Sequence, residues 1–212
     1  MRTNFDNQLK DLHRELTAMG AMCENAIALS AKAINGGEKP ENVTALAIKI
    51  DEKERDIEGM CMKLLLQQQP VARDLRVISS ALKMVTDMER IGDNSGNIAE
   101  IVSLGHITPA HDKLDIDSMA RATVKMVTDS IDAFVKGDEA LARSVIAYDD
   151  VVDGHFNRIK NALIAALQGV RADGEYALDL LMIAKYFERM ADHAANIAGW
   201  VIYALTGRKT DT

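Results

Sequence analysis

One short set of carboxylate and amide side chains occurs twice in this chain, and its residue types are those that bind metal ions. These side chains are Glu89, Asp93 and Asn97 in the first copy and Glu188, Asp192 and Asn196 in the second. On an α-helix, residues four positions apart lie on the same face, so each Glu–Asp pair can point at one ion. Carboxylate and amide oxygens suit iron, manganese, magnesium, calcium or zinc. The repeat therefore predicts a face in each half that binds a metal or a specific partner.

The spacing between the two copies is constant, since 188 − 89 = 99 and 192 − 93 = 99. A fixed offset of this kind indicates a tandem duplication. Two ligands do not complete a metal site, so we expect further ligands from a neighbouring helix. The acidic segments upstream of each copy provide Asp51 and Asp153, and Asp153 itself lies four residues after Asp149.

Three interpretations of the repeated carboxylates remain open at this point. The first is a non-catalytic metal-binding adaptor, and the second is a carboxylate-site enzyme that uses iron, manganese or zinc. The third is a purely structural bundle in which Arg90 and Arg189 neutralise a solvated face. On a helical projection the carboxylates border the apolar stripe, which favours an open face over an enclosed catalytic cleft.

Apolar residues repeat every three to four positions along the chain, which predicts long amphipathic helices. Glycine and proline residues mark where these helices end. The predicted helices span about 5–34, 41–68, 73–104, 114–135, 138–167 and 176–205. Short loops make successive helices antiparallel neighbours. We therefore predict an all-α protein of two tandem antiparallel three-helix bundles related by a pseudo-twofold, covering 1–107 and 108–212, with His106–Lys113 as the linker.

Composition and charge exclude several classes of protein. The net charge of −7 argues against a nucleic-acid-binding face. The first ten residues lack the apolar core of a signal peptide, and no apolar run approaches the ~20 residues that span a bilayer. We therefore expect a cytoplasmic protein, peripheral to membrane proteins and not inserted in the membrane. Cys23 and Cys61 are interpreted as small buried hydrophobes, and the scattered histidines as surface residues.

The repeated segments Glu89–Asp93 and Glu188–Asp192 resemble the paired E/D-x-x-x-D motifs of the PhoU family. The connector Gln68–Arg76 resembles the same family, although the second half has no Gln-Pro connector and carries Glu175 where the first has Arg76. The resemblance runs from Phe5 to about Leu205. It implies two three-helix bundles without catalytic activity, which bind multinuclear iron or zinc clusters and commonly form homodimers.

The resemblance also implies a function and a set of ligands. PhoU-family proteins act with the phosphate ABC transporter and a phosphate-responsive histidine kinase, limit phosphate uptake and repress the phosphate-starvation response. The metal ligands carried over are Glu89, Asp93, Glu188 and Asp192. In the family the motif is followed by Asn-Ile-Ala, whose Asn corresponds to Asn97 and Asn196. An acidic position on the family's second helix corresponds to Asp51 and Asp153. His193, in place of Asn94, and Ala191, in place of Gly92, predict that the two sites differ.

Overall fold

Six α-helices make up the regular structure of the described residues, with no strand among them. The computed structural model describes residues 2–68, 70, 72–108, 111, 113–169 and 173–208. The helices are α1 (Arg2–Ile34), α2 (Pro40–Gln68), α3 (Ala72–Ser103), α4 (Ile116–Lys136), α5 (Glu139–Leu167) and α6 (Gly174–Thr206). The prediction of an all-α fold is confirmed, and the helix ends lie within three residues of those expected. Parts of the Gln68–Arg76 connector fall outside the described residues.

The ends of the later helices follow from their capping residues. Asp138 and Asp173 precede α5 and α6, and each side chain accepts a hydrogen bond from a backbone N–H in the first turn. Gly137 and Gly207 end α4 and α6 in the left-handed conformation. A right-handed α-helix requires a negative φ, whereas Leu114 has a φ of 50°. Helix α4 therefore begins at Ile116, two residues later than predicted.

The two halves share one apolar core. Helices α1, α2 and α3 pack on each other, as do α4, α5 and α6, while α3 packs on α6 and α1 on α4 across the middle. Buried side chains from all six helices form one continuous cluster. At Gly20 a Cβ atom would lie 2.8 Å from Cγ1 of Ile131, so α1 and α4 approach closely. The boundary at residues 107 and 108 stays a prediction, since the core continues across it.

Both cysteines are buried and free, as expected, and burial raises the pKa of the Cys61 thiol to about 12. The interpretation of the scattered histidines as surface residues holds for His106, whose side chain is 37% exposed, and is wrong for His155, whose side chain is 14% exposed. The ring of His13 packs against that of Phe134 in a tilted arrangement, with the centroids 4.8 Å apart. His155 is mostly buried against Asp115, and the His193 ring lies 3.0 Å from Asp87. These contacts join different helices, which a pattern along one helix does not reveal.

The hydropathy of each helix bears on membrane insertion. Among the residues described, none of the helices combines the length and the apolar character that a bilayer crossing requires.

Candidate metal centre

Four carboxylates face one another between α5 and α6. Asp149 and Asp153 lie one turn apart on α5, and Glu188 and Asp192 lie one turn apart on α6. Asp192, Asp153 and Glu188 each raise the pKa of Asp149 through their negative charge. We call these four residues the α5–α6 cluster. It contains the predicted ligands Asp153, Glu188 and Asp192, and it adds Asp149.

Two oxygen atoms of the α5–α6 cluster are buried without a hydrogen-bond partner. They are Oδ1 of Asp149 and Oε2 of Glu188. The other oxygen of Glu188 accepts a hydrogen bond from Lys185, and the Glu188 side chain is only 14% exposed. Burial first, and the neighbouring carboxylates second, raise the pKa of Asp149 to about 6, and the same causes raise that of Asp192. Unpartnered buried oxygens are costly, so this cluster suits an added cation.

The first half has a corresponding but smaller group between α2 and α3. Glu89 and Asp93 lie on α3, and Glu54 on α2 faces Glu89. We call these three residues the α2–α3 cluster. Burial, followed by the charge of Asp93, raises the pKa of Glu89 to about 7, with a smaller contribution from Glu54. Burial also raises the pKa of Glu54.

Arg90 already partners both carboxylates of α3. Its Nη1 lies 2.9 Å from Oδ2 of Asp93, and its Nε lies 3.3 Å from Oε2 of Glu89. The Glu89 side chain is 14% exposed and that of Asp93 is 50% exposed. The prediction that these carboxylates lie on an open face therefore holds for Asp93 and is wrong for Glu89.

The register between the halves explains why the clusters differ in size. Helices α2 and α5 match under the same offset, because 40 + 99 = 139 and 68 + 99 = 167. Asp153 is therefore equivalent to Glu54, and Asp149 is equivalent to Ile50. In the first half Ile50 packs on Gly92, where a Cβ would lie 2.9 Å from Cγ2 of the isoleucine. One apolar contact thus takes the place of a fourth carboxylate.

Asp51, predicted as the counterpart of Asp153, does not occupy the equivalent position. It lies three residues before Glu54, accepts a hydrogen bond from Arg55, and raises the pKa of Glu54 through its charge. Asn97 and Asn196 are half-buried, one turn beyond Asp93 and Asp192. The predicted ligand set lacked Glu54 and Asp149. Adding 99 would have matched Glu54 with Asp153, but the same offset relates Asp149 to the apolar Ile50, so it gives no signal for Asp149.

The types of donor in both clusters fit a hard or borderline metal ion, but the side chains as placed do not enclose one. Within the described part of the chain, no group of three or more His, Cys, Asp or Glu side chains is arranged to hold an ion. Binding therefore requires side-chain rotation, for which the unpartnered oxygens of Asp149 and Glu188 are available. The α5–α6 cluster is the better fit because its carboxylates outnumber those of the α2–α3 cluster and fewer of them are neutralised by a cation.

Comparison with known proteins identifies the relatives of this chain. A family model described as the PhoU domain matches residues 16–102 and again residues 116–201. The PhoU homologue of Clostridium acetobutylicum, named a phosphate-specific transport system accessory protein, is 34% identical, with 99% of this chain and 98% of the relative covered. A homologue of the same name from Synechocystis is 34% identical, with 98% and 94% covered.

A solved structure shows the same arrangement of helices. The crystal structure of PhoU from Pseudomonas aeruginosa superposes with a TM-score of 0.88 at 30% identity, covering 96% of this chain and all of that one. The family model matches each half once, in agreement with the duplication seen in the sequence. The chain therefore belongs to the PhoU family.

Proposed function

We propose that this protein is an accessory regulator of phosphate transport that binds metal at its carboxylate clusters. Family membership supports the transport role, because the curated relatives are named for it. The observation that carries the metal-binding part is the pair of buried, unpartnered oxygens on Asp149 and Glu188. Asp149 lies on α5 and Glu188 lies in the repeated motif on α6, and a cation between them would offset the repulsion that raises the pKa of Asp149.

In this proposal the clusters hold a metal and catalyse no reaction. Asp149, Asp153, Glu188 and Asp192 would hold the ion of the second half, and Glu54, Glu89 and Asp93 that of the first, as iron or zinc. A bound cation supplies positive charge, which would hold the carboxylate side chains of two helices in fixed positions. The exposed Asp93 and Asp192 leave each cluster open on one side. An open face excludes water poorly, which favours binding over catalysis.

The finer proposal concerns partners. The metal-bearing faces would dock on subunits of the phosphate ABC transporter and on a phosphate-responsive histidine kinase, at the cytoplasmic side of the membrane. When phosphate is plentiful, such an adaptor would limit uptake and repress the starvation response. We also propose a homodimer, as the resemblance implied.

Elemental analysis of the purified protein tests the metal-binding part. We compare the wild-type protein with Glu188→Gln/Asp192→Asn, with Glu89→Gln/Asp93→Asn, and with Asp129→Asn as a control carboxylate outside both clusters. We expect each double variant to lose metal relative to the wild type and the control to retain it. Equal metal content in all four proteins would leave the clusters as a solvated surface and overturn this part.

Binding to purified partners tests the adaptor role. The transporter ATPase subunit and the kinase are mixed with this protein at high and low phosphate, with and without chelator. Binding that depends on the clusters supports the proposal, and its absence under every condition refutes it. Metal-dependent turnover that Glu89→Ala abolishes would instead support an enzyme.

A further inference from the structure

A cavity of about 250 Å³ lies between the two halves, away from both carboxylate clusters. Four helices border it: α1 and the beginning of α3 from the first half, and the ends of α4 and α6 from the second. Its apolar wall includes Val77, Phe134, Val201 and Leu205. No acidic side chain lines the cavity among the described residues.

The polar groups of this cavity are cationic or neutral, in a chain whose net charge is −7. Arg73 and Lys136 line it, together with His13, whose pKa is lowered by burial. Arg76 lies close by against the end of α6, where a Cβ on Gly207 would lie 3.6 Å from its Nε. That Nε is buried and has no acceptor among the described residues. A buried cationic donor without an acceptor is costly, so the region suits an added anion.

Helix dipoles alone do not account for these charges. Lys136 lies in the last turn of α4, where a cation is favoured, and it also pairs with Asp132. Arg73 lies in the first turn of α3, the end at which a cation is disfavoured. The Nε of Arg76 makes no hydrogen bond to the carbonyl groups that end α6. A helix dipole therefore accounts for neither arginine, and among the described residues the buried Nε of Arg76 has no acceptor.

The equivalent region of the second half is covered by the chain itself. Adding 99 to Arg76 and Val77 gives Glu175 and Tyr176 at the beginning of α6. There the linker places the ring of His111 4.4 Å from that of Tyr176, and Nε2 of His106 3.7 Å from Oε2 of Glu175. Linker histidines thus meet acidic side chains in one half, while the matching position in the other half is basic and borders an open cavity. Charge complementarity predicts an anion there.

We propose that this cavity binds a small organic anion: a phosphate monoester or carboxylate that carries a ring-sized apolar group. The arginines and Lys136 would hold the anionic group, and the apolar wall would cover the ring. A cavity of about 150 Å³ holds one benzene molecule, so 250 Å³ accommodates a ring together with a charged group. This inference is independent of metal binding at the clusters.

Calorimetric titration of the full chain with four probes tests the ligand class. The probes are phenyl phosphate, benzoate, inorganic phosphate and phenethylamine. We expect the two aromatic anions to bind at least about tenfold more tightly than inorganic phosphate, since burying a ring contributes at least 1.4 kcal/mol. We expect no binding of the amine. Equal affinity for phenyl phosphate and inorganic phosphate would mean attraction to surface charge alone, and no binding of any anion would also overturn the proposal.

Variants locate the site. Arg73→Gln removes an exposed charge and Val77→Trp fills the cavity, while Arg143→Gln on α5 is the matched control. We expect about tenfold weaker binding of phenyl phosphate by each cavity variant and no change in the control. Circular dichroism checks that each variant folds, and Arg73→Gln remains informative if Val77→Trp does not fold. Unchanged affinity in folded Arg73→Gln places the anion elsewhere. Binding of an apolar peptide through its terminal carboxylate, but of no small anion, would also refute the assignment.

Discussion

The two carboxylate clusters share one ancestral pattern, yet they differ in their number of carboxylates because of one pair of packed positions. Between α2 and α3, Ile50 is fully buried against Gly92. Between α5 and α6, the equivalent positions hold Asp149 and Ala191. The first half therefore uses this position for apolar packing, and the second uses it for a fourth carboxylate. Duplicated sites can thus diverge in ligand number while their helices keep the same register.

The cations beside the clusters increase the difference. Arg90 contacts both Glu89 and Asp93, whereas Lys185 contacts Glu188 and leaves the other oxygen of Glu188 without a partner. Without metal, the first cluster is partly neutralised by its own chain. The second carries more uncompensated charge, which predicts tighter metal binding there.

The largest expected effect is on metal affinity. Asp149→Asn removes a ligand that has no counterpart in the first half, so we expect at least about tenfold weaker binding at the second cluster. Competition against a chelator, with Zn²⁺ or Mn²⁺, measures this affinity. Ile50→Asn is the matched control and should leave binding at the second cluster unchanged. Equal weakening by both variants would show that the clusters do not bind independently.

Introducing the residues of the second half at positions 50 and 92 should give the α2–α3 cluster the fourth carboxylate of the α5–α6 cluster. Ile50→Asp/Gly92→Ala places a carboxylate in a fully buried position, so we expect the metal-free protein to lose about 3 kcal/mol of unfolding free energy. Added Zn²⁺ or Mn²⁺ should recover part of that loss through binding to the folded state. Chemical denaturation with and without metal measures both effects. A loss that metal does not reduce would contradict the view that the fourth carboxylate strengthens the site.

Single substitutions at Gly92 and Ala191 should lower the free energy of unfolding by different amounts. Gly92→Ala forces the added Cβ against Ile50, for an expected loss of about 1–3 kcal/mol in unfolding free energy. Ala191→Gly meets no such contact and should cost about 1 kcal/mol through helix propensity. Thermal unfolding compares the two. A smaller loss for Gly92→Ala would mean that Ile50 moves aside easily.

The smallest expected effect is a pH dependence of the metal-free protein. The folded-state pKa values of Glu89, about 7, and Asp149, about 6, lie above their ordinary values. Protonation of these groups therefore stabilises the fold at low pH, and this contribution is lost as the pH rises from about 4 through 7. At pH 8 we expect Glu89→Gln to be about 1 kcal/mol more stable than the wild type, after allowance for solvent.

Denaturation in the presence of chelator, repeated at intervals from about pH 4 to pH 8, measures this dependence. Asp149→Asn should remove the part that ends near pH 6, and Glu89→Gln the part that ends near pH 7. Identical pH profiles in the wild type and both variants would contradict the assigned pKa directions.

Periodicity and end signals predicted the fold well because long helices depend on local rules. The constant offset of 99 likewise predicted which α3 and α6 residues correspond. Asp51 was predicted as a ligand, whereas Glu54 lies opposite Glu89, because a run of charged residues on α2 does not reveal which one faces α3. The burial of Glu89 and Glu188 was also missed, since it depends on how a second helix packs over the first.

The core that the two halves share indicates how a duplicated chain of this kind can arise. The contacts of α3 with α6 and of α1 with α4 pair each helix with its own counterpart in the other half. Two separate copies of one three-helix unit would meet in this way as an isologous dimer. The connection between α3 and α4 turns that association into an intramolecular one, with an effective concentration in the millimolar range. Once joined, the copies are free to diverge separately, so one can keep Ile50 while the other gains Asp149.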